Sequence, residues 1–381
     1  MKIKIFELER IQSLYENTVP INLTESGFHP YTLEELLSEE QLKMLTTTVL
    51  GYGQTNGSIP LRQTISKLYP GCTGNNVLVT NGSAEANFIA CHTLLEEGDE
   101  VVMMVPNYMQ IWGIVEEMGC IPKKFHLREE DQWKPDLEEL ESMMTSKTKM
   151  ISLCNPNNPT GYVLTEDEMK AIVVIAKKYD AWIYCDEVYK GTDLDGIEKP
   201  SFYGMYDKVI VNGGLSKAYA LPGLRLGWLI GPEDLIADTW AYHDYTSITT
   251  GILSQKIGEI VLKKTMRKRI LSRNIDILNE NLQATIEWAN EYNDLLEFTP
   301  PKAGGMVFIK YMFPINSTEL SDWLRLEKGV FILAGDVYGM DYHFRIGIGA
   351  EKKDLLKGFA ILTEALNERF NIKKNNSQRY I

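Results

Sequence analysis

Gly213-Gly-Leu-Ser-Lys-Ala-Tyr-Ala-Leu-Pro-Gly-Leu-Arg-Leu-Gly-Trp228 follows a short apolar run, Lys208 to Val211, and sets one lysine, Lys217, just beyond it. A lysine at the end of a buried strand is unusual, because burying an unpaired ammonium is costly. One resolution is that the amine is tied up as a Schiff base with a carbonyl cofactor. Ser216 and Arg225 are a hydroxyl donor and a planar charged fork, the residue types that hold a phosphate. The alternative is a surface Ser-Lys pair in a glycine loop, and the remaining chain must choose between the two.

With 381 residues, 44% of them hydrophobic and 24% charged, the composition is that of a globular protein of about two domains. The N-terminus has no apolar core of a leader, and no run reaches membrane-spanning length, so the expectation is a cytoplasmic protein without a membrane partner. The five cysteines are scattered without a CxxC pair, and the five histidines show no ligand spacing. Neither a disulfide framework nor a metal site is expected. A net charge of −13 argues against nucleic acid as a partner.

Residues 1 to about 45 are mixed and weakly periodic, with a loop over 22–30. Beyond a glycine-rich loop around Tyr52, a helix begins near Ile59-Pro60. Apolar strands at Val77–Thr80, Glu100–Val105, Met150–Cys154, Trp182–Cys185, Lys208–Val211 and Leu226–Ile230 then alternate with helices. That pattern predicts a mostly parallel sheet covered on both faces, an α/β three-layer sandwich. Long helices are expected over about 250–265 and 268–291. After Leu295 come shorter strands (306–310, 330–333, 343–346) and a closing helix over 351–369, a smaller α+β domain. The expected division is a large domain over 46–285 and a small one of 1–45 with 286–381. The tail over 373–379 is polar and reads as frayed.

Ligands of open parallel sheets bind beyond the carboxyl ends of the strands. There the chain places Asn81-Gly-Ser-Ala-Glu85 opening a helix, whose free amides suit an anion. It also places Asn155-Pro-Asn-Asn-Pro-Thr-Gly161, Asp186-Glu-Val-Tyr189 and the Lys217 stretch. Each has a dull alternative: Ser83 capping its helix, Asn158 bonding its own backbone, Asp186 pairing with a surface cation, Tyr108 and Tyr189 as core aromatics. Together they supply an anion cradle, an acid, phenols, an amide, a lysine and an arginine at one edge.

In this order, NPNNPTG at 155–161, DEVY at 186–189, SKAYALPGLRLGW at 216–228 and FRIGIG at 344–349 resemble the fold-type I pyridoxal phosphate (PLP) enzymes, the class I/II aminotransferases of the aspartate aminotransferase-like superfamily. The resemblance implies PLP as cofactor and a homodimer with shared active sites. It implies that Lys217 carries the cofactor and moves the proton at the substrate Cα, with Asp186 at the pyridine nitrogen. Tyr189 and Asn158 would bond the phenolic oxygen, and Tyr108 would stack on the ring. Ser83, Ala84, Glu85, Ser216 and Arg225 would hold the phosphate, joined by Tyr52 from the neighbouring subunit. Arg345 would grip the substrate α-carboxylate, beside Asn158 and with a backbone amide from Gly27. The activity implied is transfer of the α-amino group of an L-amino acid to a 2-oxo acid through a pyridoxamine phosphate form.

Relatives specific for dicarboxylates often bring a second arginine from the region matching Tyr242–Thr250, which reads YHDYTSITT here and is followed by Gly251. A strict aspartate enzyme of that subtype is therefore not expected. Phe28, His29, Trp112 and Tyr338 are pocket candidates by position. The Leu-Pro-Gly after the lysine also occurs in relatives that eliminate or cyclise, so a PLP-dependent lyase or cyclase is the alternative: like 1-aminocyclopropane-carboxylate synthases, cyclases of modified arginine, or carbon–sulfur lyases. A PLP-binding transcription regulator would need a basic DNA-binding module ahead of the domain, and the first 45 residues cannot supply one.

Overall fold

The computed structural model describes residues 3–292 and 295–372; the polar tail over 373–379 lies outside them. In chain order the strands are β1 (Ile21–Asn22), β2 (Val77–Thr80), β3 (Glu100–Val105), β4 (Ile121–Arg128), β5 (Lys134–Pro135), β6 (Thr148–Cys154) and β7 (Trp182–Asp186). They continue with β8 (Val209–Gly214), β9 (Gly227–Ile230), β10 (Leu296–Glu297), β11 (Met306–Tyr311), β12 (Val330–Phe331), β13 (Leu333–Ala334) and β14 (His343–Gly347).

Eight strands form one sheet in the order β2-β9-β8-β7-β6-β3-β4-β5. Its five central members, β8 through β4, run parallel, while β9 and β5 run antiparallel to their neighbours. Side chains alternate across the pleat, and here both faces are covered. Val102 and Met104 of β3 join one apolar cluster, with Ile151, Ile183 and Val211. Val101 and Met103 join the other, with Met150, Tyr184 and Ile210. This is why these strands read as unbroken apolar runs, and the fold is the α/β three-layer sandwich that the alternation predicts.

Four more strands form an antiparallel sheet, β10-β11-β14-β13, covered by the helix Lys352–Phe370. Its core stacks Trp288 on Phe359 with ring centroids 4.5 Å apart. The helix Lys264–Asn290 ties the two parts together: Ile270 and Leu271 pack in the first cluster, Leu278, Leu282 and Trp288 in this third one. The N-terminal segment also touches both, with Leu8, Leu36 and Leu37 in the first cluster and Ile21, Leu23 and Phe28 in the third.

Several elements escape the sequence reading. Strand β4 reads IPKKFHLR, with a proline and two lysines, and its first half is largely unburied because on its outer side only the two-residue β5 pairs with it, at Leu127 and Arg128. The helix Glu7–Tyr15 buries just Leu8 and Gln12, too weak a stripe to stand out. Helices Glu39–Thr46 and Ser317–Trp323 are short and are set by their caps, Ser38 in a capping box and Asn316.

Candidate active site

At the carboxyl edge of the large sheet the helix Ser83–Leu94 starts without a side-chain cap. Gly82, at φ 82, occupies the cap position, so the alternative of a capping Ser83 does not hold. The amides of Ser83, Ala84 and Glu85 point out of the first turn, where four N–H groups of any helix lack an internal partner. Glycine is required here: a Cβ on Gly82 would lie 2.4 Å from the Arg225 guanidinium, and one on Gly227 would lie 2.5 Å from the Gly82 carbonyl carbon. Arg225 itself adopts the left-handed conformation, φ 48, and reaches the Ser216 hydroxyl at 3.3 Å. The Arg225 guanidinium thus lies close to Gly82 at the start of this helix and bonds the Ser216 hydroxyl, so that amides, hydroxyl and guanidinium form a cradle of donors that suits a phosphate.

The Glu85 side chain has a different task. Burial pushes its carboxyl up, but hydrogen bonds from His243, Thr246, Asn81 and Ser247 bring it down to about 2. It clamps the 243–247 turn to the cradle and leaves only its amide for a ligand.

Asp186 is the last residue of β7, its Cα registered between Cys154 and Asn212. It faces a cavity lined also by Leu8, Ser83, Tyr108, Asn158, Tyr189, Lys217 and Arg345. Burial raises its carboxyl to about 6, against the Val188 amide, Asn212, Asn87 and the more distant Lys217 charge. Such a carboxylate, held by neutral donors, favours a cation placed against it. Beneath it, Asn212 donates to Asn87 and to the Tyr184 hydroxyl, 2.9 Å away, a buried network that fixes the floor.

Lys217 stands three residues past β8, and its Nζ donates to Glu25 Oε1 at 2.8 Å. On the facing wall Arg345, in the middle of β14, is 1% exposed. It donates to Asn158 Oδ1 at 2.9 Å, to the Tyr338 hydroxyl at 2.6 Å and to the Thr24 carbonyl, while its Nε has no partner. Asn158 therefore bonds across the site, and Asn157 is the residue that braces the turn, accepting from Thr160. The Tyr189 hydroxyl donates to Ser26 at 2.8 Å; Tyr108 donates to Glu9 at 2.6 Å. Both phenols are pushed up, chiefly by burial, and stay protonated.

The loop 24–28 lies against the small sheet because glycines let it. A Cβ on Gly347 would meet the Glu25 carbonyl, and Cβ atoms on Gly349 and Gly305 would meet the Gly27 carbonyl at 2.0 and 2.7 Å. The Gly27 amide donates to Glu25 Oε1 at 2.6 Å, so it is engaged within the loop. Tyr52 stands apart from the cavity and is 90% exposed. Of the positional candidates, Tyr338 joins the Arg345 network, Phe28 is core, His29 pairs with Glu351 at 3.2 Å, and Trp112 sits under Lys124. The sequence reading missed Glu9, Gln12, Glu25 and Ser26. They come from the N-terminal segment, whose only signal was the polar residues on its helix and in its loop.

An amine, a buried acid and a buried arginine around one cavity, with a set of donors that suits a phosphate beside it, are groups that fit a carbonyl cofactor of amino-acid chemistry. Residues 19–359 match the family described as aminotransferase class I and II, and the chain belongs to that family. A PLP-dependent aminotransferase from Streptococcus suis is 32% identical, superposes with a TM-score of 0.91, and is matched over 98% of this chain and 100% of that one. Capreomycidine synthase of Streptomyces vinaceus is 27% identical over 91% of this chain and 89% of its own length. The fold is shared with a PLP-dependent cyclase, OrfR, at 22% identity and a TM-score of 0.89, with 97% and 98% of the two chains covered. The cofactor is pyridoxal 5′-phosphate, and the cradle, Asp186 and Lys217 fit its phosphate, ring nitrogen and carbonyl. Among the described residues no helix is long and apolar enough to cross a membrane, and no cluster of metal-ligating side chains is found.

Proposed function

We propose that this protein is an aminotransferase that moves the α-amino group of an L-amino acid to a 2-oxo acid in two half-reactions. The observation that carries the reading is the convergence of Lys217, Asp186 and Arg345 on one cavity. When bound, the cofactor supplies a carbonyl for the amine and a ring that withdraws electrons from the substrate Cα. Lys217 holds the carbonyl and, once released, moves the proton at Cα. Asp186 keeps a proton on the ring nitrogen. Tyr189 and Asn158 bond the phenolic oxygen, and Tyr108 covers the ring face. The amides of Ser83, Ala84 and Glu85, with Ser216 and Arg225, hold the phosphate. Arg345 offers its free Nε to the α-carboxylate, aided by Asn158, and the Gly27 amide joins if a carboxylate displaces Glu25 from it.

The reading includes a cytoplasmic homodimer. Val49, Leu50, Tyr52, Tyr245 and Ile248 are exposed and come from two segments that Thr249 and Gln54 tie together, an apolar surface suited to a second copy. Tyr52 would then reach the partner's phosphate. It also divides the chain into a cofactor-binding unit over 46–285 and a smaller unit of 1–45 with 286–381, the first segment touching both.

The test is the visible absorption of the PLP-loaded protein on adding single amino acids without oxo acid. Loss of the cofactor band with one donor and its return with a 2-oxo acid are expected. The similarity to the Streptomyces vinaceus synthase favours a second reading, a PLP-dependent lyase or cyclase. Sustained consumption of the amino acid with no oxo acid present, releasing ammonia or another leaving group, would replace the first reading with the second.

A further inference from the structure

The register of β14 fixes the backbone of Arg345, paired with Phe308 on one side and Leu333 on the other. It does not fix the guanidinium, a planar fork of five N–H donors at the end of a long side chain. A carboxylate can dock on such a fork end-on, across Nη1 and Nη2, or side-on, across Nε and Nη2. Here the donors are already divided. Both N–H groups of Nη1 are used, one by Asn158 Oδ1 at 2.9 Å and one by the Tyr338 hydroxyl at 2.6 Å. One N–H of Nη2 goes to the Thr24 carbonyl. The second N–H of Nη2 and that of Nε remain, and Nε is buried without a partner. Only the side-on edge is left for a carboxylate.

Tyr338 is itself held in place. It ends the turn Gly335–Tyr338, is buried, and packs its ring edge-on against Phe308, with centroids 5.6 Å apart. A Cβ on Gly335 would meet the Met340 and His343 carbonyl oxygens, so the turn is drawn tight against the start of β14. Burial pushes the Tyr338 hydroxyl up, with the Arg345 charge acting in the opposite direction, and it keeps its proton. Its oxygen accepts from Arg345 while its O–H donates to Asn158 Oδ1 at 3.3 Å. Arg345, Tyr338 and Asn158 thus close a ring of hydrogen bonds that uses up Nη1. Without the hydroxyl, one Nη1 N–H would lack a partner inside a buried site, which is costly. The fork would then offer its end-on edge as well.

Resting on the aminotransferase reading of the site, we propose that Tyr338 is a positioning residue: with Asn158 it occupies Nη1, so that Arg345 meets the α-carboxylate of the amino acid by its Nε–Nη2 edge alone. That edge sets how the rest of the amino acid lies, and a bound reactant held in one orientation gains in rate as well as affinity. The test compares the PLP-loaded parent with Tyr338→Phe, which keeps the ring against Phe308. Each common L-amino acid is titrated in, reading cofactor absorbance, beside the amine of the same skeleton without its carboxylate (ethylamine for L-alanine). In Tyr338→Phe the half-saturating concentration of a responding amino acid should rise about five- to tenfold, and that of its amine should stay within about twofold. In an Arg345→Lys background the same substitution should change amino-acid binding less than about twofold, because a residue that acts through Arg345 has nothing left to position.

Equal amino-acid binding in the two proteins, or an amine weakened as much as its amino acid, would overturn the proposal. So would an effect undiminished in the Arg345→Lys background, or loss of the cofactor band in Tyr338→Phe, which would make the hydroxyl a prop of the fold. In each of these cases the response of the parent leaves the reading of the site standing. No response of the parent to any amino acid would overturn both. Consumption of the amino acid without an oxo acid would keep the proposal and replace only the reaction type.

Discussion

The carboxyl edge of the large sheet and the cover that closes on it meet around Lys217, yet they are assembled in opposite ways. The edge is built from short, contiguous stretches, each following its own strand: 81–85, 155–161, 186–189 and 216–225. The cover is built from pieces distant in the chain, the helix Glu7–Tyr15, the loop 24–28 and β14 with Arg345, joined by bonds such as Arg345 to the Thr24 carbonyl and Gln12 to Thr24. The edge positions groups by the register of a buried sheet, which leaves little freedom. The cover holds Arg345 in the register of the small sheet but ties the helix Glu7–Tyr15 and the loop 24–28 to it by a few polar contacts. On the proposed function, cofactor chemistry falls on the rigid edge and substrate binding on the cover.

That contrast can be broken most sharply at Lys217. Lys217→Ala should lower turnover on the order of 10³-fold or more, since it removes both the covalent attachment and the proton carrier. The cofactor should still associate through the cradle but wash out on dialysis, and the absorption spectrum of the dialysed protein checks this. Retention as firm as in the parent would mean that the cradle alone holds the cofactor.

Asp186→Asn isolates the buried charge on the rigid side. Its folded pKa, about 6, lies above the unfolded value of about 3.9. The native state therefore keeps an extra proton between those values, and the associated stability is present below about pH 4 and lost as pH rises through 6. In the cofactor-free protein the charged form should cost about 3 kcal/mol at pH 8. Asp186→Asn should then raise the denaturant midpoint at pH 8, with the gap closing by pH 4, while abolishing most activity. A gap of equal size at both pH values would mean that titration is not its source.

On the cover, Arg345→Lys keeps the charge and loses the fork. About 1.5–3 kcal/mol of charge-assisted bonding is at stake, so KM for the amino acid should rise about 10- to 100-fold with the cofactor band unchanged. Loss of the band as well would show that the two sides are not separable. The smallest effect is expected for Gln12→Ala, which unties the covering helix from Thr24. About 1 kcal/mol should be lost, read as a KM increase of a few-fold at constant cofactor affinity.

Why the edge was legible and the cover was not follows from the same contrast. Val77–Thr80 and Glu100–Val105 are apolar throughout because both faces of the sheet are covered, and their bounds in the structure match the reading residue for residue. The residues after such strands are few and polar, so Lys217, Asp186 and Asn158 stood out. Strand β8 runs past Val211 into Gly213 and Gly214, since a Cβ at Gly213 would strike the Trp228 ring; the apolar pattern ends before the strand does. Glu9 and Glu25 carry no such signal. An acid in a weakly amphipathic segment reads as a solvated face until the chain is folded.

The sequence by itself determined the sandwich, the family and the set of groups at the sheet edge, because period, strand-end chemistry and short motifs are local properties. Only the tertiary structure decided that Glu25 meets Lys217, that Tyr338 and Asn158 share Arg345, and that the helix Glu7–Tyr15 closes the cavity. The bonds among them join residues up to 192 positions apart, and no local pattern encodes a partner at that distance.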